Sequence, residues 1–64
     1  MVGKLIVKLR KEKGWTQSDL AKATGLSKGY IAAIEEGRDP GVKALSIIAV
    51  ALGVEIGALY KEEE

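Results

Sequence analysis

"TQSDLAKATGLSKGYIAAIEEG", residues 16–37, holds two short helical patterns that break at Gly25, and its reading decides the fold. Thr16 opens the first pattern. Its hydroxyl is placed to accept from the backbone N–H three residues on, while Asp19 reaches back as a shortened capping box and sets negative charge at a helix start. Leu20 and Ala21 then face inward, with Ala23 near the rim. Gly25 supplies a left-handed turn, Leu26 plugs the corner, and Ser27 caps the second pattern, in which Ile31 and Ile34 share a face.

The same punctuation recurs outward from this stretch. Gly14, Gly25, Gly37 and Gly53 each follow an apolar pattern of helical period, so the sequence predicts helices over about 3–13, 17–24, 28–36, 42–52 and 56–61. No run alternates with period two, and the β-branched residues lie inside helical patterns. The expectation is an all-α, five-helix bundle forming one domain over residues 1–64. Its second and third helices, joined by a short turn containing glycine and crossing at the small Ala21, read as a helix-turn-helix.

Composition removes several chemistries. The chain has no cysteine and no histidine, which excludes disulfides, thiolate metal sites and histidine-based catalysis. No metal or cofactor is expected. Glu35 and Glu36 adjoin on a helix and point different ways, and the glycines are spread as caps, so no loop gathers them to cradle phosphate. An enzyme is therefore not expected. "MVGKLIVKLRKEKG" lacks the features of a signal peptide, and no stretch approaches a membrane span; a soluble cytoplasmic protein is the expectation. With no room for a sensing domain, no small-molecule effector is expected.

The net charge is only +1, but it is unevenly placed: residues 1–28 carry net +5 and residues 29–64 net −4. A basic first half suits an anionic partner, and a merely solvated surface explains it as well.

The stretch over 16–37, preceded by "KLRKEKGW" and followed by "DPGVKALSIIAVALGVEIGALY", resembles the helix-turn-helix domain of phage Cro and repressor proteins over residues 3–60. Arg10, Gln17, Leu20, Ala21, Gly25, Ile31, Ile34, Glu35, Gly37, Pro40, Leu45, Ile48, Ala49, Leu52 and Leu59 fall in register with that family. The resemblance implies a lambda-repressor-like bundle that binds double-stranded DNA in transcription regulation, with the third helix in the major groove and the start of the second on a phosphate. By that resemblance, Thr16, Gln17, Ser27, Lys28, Gly29, Tyr30, Ala32, Ala33, Arg38 and Lys43 are the candidate DNA-binding residues. It also implies a partly buried salt bridge between Arg10 and Glu35.

The chain departs from the family where reading is expected. With Ile31 and Ile34 inward, Gly29, Ala32, Ala33 and Glu36 face outward, and the first three have no hydrogen-bonding side chain. Direct readout is left to Lys28, Ser27, Tyr30 and contact of Ala32 or Ala33 with a thymine methyl. Limited side-chain specificity is expected, or a surface that serves another partner.

Leu5, Val7, Ile47 and Val50 are apolar where relatives are usually polar, and "LSIIAVALG" is apolar around most of the fourth helix. A homodimer through Ile47, Val50, Ile56, Gly57 and Ala58 would cover that face. The competing expectation is a protein-interaction or engineered scaffold module that keeps the fold without the DNA function.

Overall fold

The computed structural model describes residues 2–60, without the Tyr60 side chain, as five helices and no strand. They are α1 (Val2–Glu12), α2 (Gln17–Thr24), α3 (Lys28–Glu35), α4 (Val42–Leu52) and α5 (Ile56–Tyr60). The sequence had placed α1 one residue later, at 3–13, and α3 one residue longer, to 36. Both ends are set by backbone bonds that propensity does not reveal. Lys13 N–H is shared between the Leu9 and Arg10 carbonyls, and Glu36 N–H between those of Ala32 and Ala33, so each closes a turn outside its helix. The expected last residue of α5, Lys61, lies outside the described residues.

Each of the four expected stops is a glycine in the positive-φ region: Gly14 at 76°, Gly25 at 77°, Gly37 at 125° and Gly53 at 77°. At Gly25 the closure is tightest. Its N–H reaches the Ala21 carbonyl at 2.8 Å, Thr24 Oγ1 donates to the Leu20 carbonyl at 2.8 Å, and Leu26 N–H donates to Thr24 Oγ1 at 3.2 Å. This compact turn fixes α3 relative to α2.

Ile6, Leu20, Ile31, Ile34, Leu45, Ile48, Ala49, Leu52 and Leu59 form one core, drawn from all five helices. α2 packs on α3 and α4, while α1 spans α3 and α5. Seven of these side chains, Ile6, Leu20, Ile31, Ile34, Leu45, Ile48 and Leu59, are almost completely covered, so truncating any one to alanine costs about 2–5 kcal/mol. Gly3 permits the α1–α3 crossing. A Cβ there would overlap the carbonyl oxygen of Ile34 and come within 2.9 Å of that of Glu35.

Candidate nucleic-acid interface

The start of α2 is built as a full capping box. Asp19 N–H donates to Thr16 Oγ1 at 3.1 Å and Thr16 N–H to Asp19 Oδ2 at 2.8 Å. These bonds to Thr16, backbone first and then side chain, hold the Asp19 carboxyl below its ordinary pKa. The first intrahelical bond runs from Leu20 N–H to the Thr16 carbonyl, so the amides of Gln17 and Ser18 point out of the helix end, an arrangement that favours an anion.

The Gln17 side chain also ties α2 to a neighbouring helix. Its Nε2 donates to Glu35 Oε1 at 2.9 Å, across 18 positions of sequence. One of its two amide N–H groups is thereby turned onto a neighbouring helix.

Glu35 is the meeting point of three helices. Arg10 Nε donates to Glu35 Oε2 at 2.8 Å and Arg10 Nη2 to Glu35 Oε1 at 3.0 Å. The third limb of the fork, Arg10 Nη1, donates to the Trp15 carbonyl at 2.9 Å, while Trp15 N–H returns to the Arg10 carbonyl at 3.0 Å. Burial pushes the Glu35 carboxyl up in pKa, but the bonds from Arg10 and Gln17, with the nearby charges of Arg10 and Lys11, outweigh it and hold it below the ordinary value. Arg10 is raised, first by its bond to Glu35. Both groups are charged at neutral pH.

The start of α3 follows the same logic with one bond, Tyr30 N–H to Ser27 Oγ at 3.0 Å. Its first turn carries no acidic residue. Ser27, Lys28, Gly29 and Glu36 are exposed, while Ala32 and Ala33 are half-buried. The outward arc of α3 thus offers one carboxylate at its end and almost no side-chain polarity along its length. Nothing lies within 4 Å of a Cβ added at Gly29, so that part of the face is open.

Arg38 and Lys43 are exposed, Arg38 in the loop after α3 and Lys43 in the first turn of α4. Gly41, at the cap of α4, supplies no side-chain bond to its leading amides, so the helix dipole and Lys43 act there together.

The residues expected to form an interface between copies lie on α4 and α5. Ile47 and Val50 line an open groove of about 290 Å³ with Ala23, Ser46 and Ala51, and Val50 is 79% exposed. Ile56 packs in part against the core, Ala58 is half-buried, and Gly57 is exposed on α5. Sequence reasoning missed Ala23 and Ser46 as groove residues; only the α2–α4 packing places them beside Ile47.

Two short helices joined by a glycine turn, the second capped by serine and presenting an open face, define a helix-turn-helix domain. The chain belongs to the helix-turn-helix family, whose model matches residues 6–59. It is 41% identical over 63 residues to the immunity repressor protein of Bacillus phage phi105, a match covering 97% of this chain and 44% of the repressor. It is 34% identical over 65 residues to the HTH-type transcriptional regulator SinR of Bacillus subtilis (strain 168), covering 98% of this chain and 59% of SinR. The chain therefore spans about half the length of these relatives. A crystal structure of SinR, the master regulator for biofilm formation, in complex with DNA superimposes with a TM-score of 0.89 at 34% identity, covering 94% of this chain and 98% of that one.

Proposed function

We propose that this chain binds duplex DNA as the DNA-binding domain of a transcriptional regulator in the cytoplasm, without catalysis or cofactor. The observation that carries this reading is the fit of 94% of the chain onto a relative solved in complex with DNA. α3 lies in the major groove, since an α-helix matches its width. The amides of Gln17 and Ser18, with Lys28, Arg38 and Lys43, take phosphates. Thr16 and Ser27 hold the two helix starts, and Gly29, Ala32 and Ala33 let the α3 backbone sit close to the base edges.

Most of the affinity is then electrostatic. Titration of fluorescent duplexes at several salt concentrations tests this: the log–log slope is expected near about −0.9 for each phosphate neutralised. Absence of binding at about 50 mM salt, where phosphate contacts are strong, overturns the reading. Two copies acting on paired half-sites through the α4 face complete it, because two-fold proteins bind two-fold operators.

A second reading, a protein-interaction module, draws on the open apolar groove beside Val50. Binding to DNA with no salt dependence, or none at all, would favour it.

A further inference from the structure

Tyr30 and Arg38 lie at opposite ends of α3, yet the Arg38 guanidinium stands 5.1 Å from the centroid of the Tyr30 ring. Both partners are held. Tyr30 is fixed at the cap by its bond to Ser27 Oγ, and its side chain packs half-buried against the core. Arg38 N–H donates to the Ala33 carbonyl at 3.0 Å and Gly37 N–H to that of Ile34 at 3.1 Å, with Gly37 at a φ of 125°. This pair of bonds closes the helix as a Schellman motif. The closure sends the Arg38 side chain back along the helix that its backbone terminates.

The position of the stack follows from helix geometry. With Ile31 and Ile34 inward, about 100° per residue sets Gly29, Ala32, Ala33 and Glu36 on the outward arc, Lys28 at one margin and Tyr30 at the other. Arg38 therefore supplies from outside the helix the cation that the second margin lacks. The contact engages the face of the ring, and a guanidinium has five N–H groups, so Arg38 keeps donors for a bidentate oxyanion. An arginine already held in place loses less rotamer freedom when it binds.

We propose that Tyr30 is a positioning residue, whose ring holds Arg38 at the margin of the α3 face so that its fork takes a DNA phosphate on the side opposite Lys28. This rests on the reading of α3 as a DNA surface.

The test is a double-mutant cycle on DNA affinity, with circular-dichroism melting of each variant as the folding control. Arg38→Ala should make the salt slope shallower by about 0.9. Tyr30→Leu should weaken binding about two- to fivefold, the factor an exposed cation–π contact carries, and should have no effect once Arg38 is alanine. Tyr30→Phe, which keeps the ring, should bind as the unsubstituted chain does. A Tyr30→Leu loss that persists in full in the Arg38→Ala background overturns the positioning role, and an unchanged affinity in Arg38→Ala overturns the phosphate contact. Ring-current shifts of the Arg38 side-chain protons, lost in Tyr30→Leu, read the stack without DNA; their absence from the unsubstituted chain sinks the proposal while leaving the DNA reading standing. Failure of the unsubstituted chain to bind any duplex removes both.

Discussion

Arg10 and Glu35 meet through paired N–H···O bonds of 2.8 and 3.0 Å, with side chains only 10% and 6% exposed, and a single oxygen of that carboxylate also receives Gln17. One acidic group thereby ties α1 to α3 and sets the start of α2 against both. A buried pair of this kind contributes modestly as a pair and severely when broken, since removing one partner strands the other's charge.

Glu35→Ala is accordingly expected to destabilise the fold by about 3–5 kcal/mol. Replacing both partners by Arg10→Met and Glu35→Leu should cost far less than that single change, because no buried charge is left uncompensated. Urea unfolding of the three proteins decides it, and equal losses in the single and double variants would contradict it.

Acid should weaken the fold in a defined direction. The Glu35 and Asp19 carboxyls titrate below their ordinary values in the folded chain, so the unfolded chain binds protons more readily in that range. Their stabilisation is fully present above the unfolded pKa of about 4 and is lost as pH falls through the lower folded values. Melting temperature measured from pH 7 to pH 2 should drop on this limb, and Asp19→Asn should flatten part of it. An unchanged acid limb in that variant would show that the Thr16 bonds do not set it.

Gly3 and Gly29 should respond oppositely to alanine. At Gly3 the added carbon meets backbone oxygens that cannot swing aside, and the expected cost is about 1–3 kcal/mol. At Gly29 it meets nothing within 4 Å and restricts the unfolded chain, for an expected gain of about 0.4–1 kcal/mol. Thermal unfolding of the two variants provides the comparison.

On DNA, Lys28→Ala should weaken binding on every sequence alike and make the salt slope shallower by about one, the signature of a phosphate contact. A loss confined to one base position would instead assign Lys28 to a guanine. Ala33→Gln adds an amide able to read adenine and should sharpen sequence preference, as selection from a randomised duplex pool would reveal.

Self-association is tested on the α4 groove. Ile47→Lys combined with Val50→Glu should leave the helical content intact and reduce the mass in solution to that of one chain. If the unsubstituted protein remains a monomer by light scattering across a wide concentration range, the paired-copy arrangement is wrong.

The elements were legible in the sequence because their signals are local. Thr16 with Asp19, Ser27 and the four stop glycines each act within a few residues, and Ile31 with Ile34 marks an inward face by spacing alone. The family resemblance led to Arg10 and Glu35. What stayed hidden depends on chain segments that only packing brings together. The bond of Gln17 to Glu35 exists only once α2 and α3 are packed together, and the place of Arg38 over Tyr30 only through the Gly37 closure. The reason for glycine at position 3 was equally invisible, since it lies in the backbone of another helix.

The bareness of the α3 face has an evolutionary consequence. Gly29 and Glu36 are exposed, and neither belongs to the core formed by Ile31 and Ile34. Substitutions there, and to a lesser degree at the half-covered Ala32 and Ala33, change what the domain meets without dismantling what holds it together. On the proposed reading of α3, stability and specificity are thus encoded by different positions of one short helix. A lineage built on this scaffold is able to explore new binding preferences by single steps, each of which passes through a folded protein.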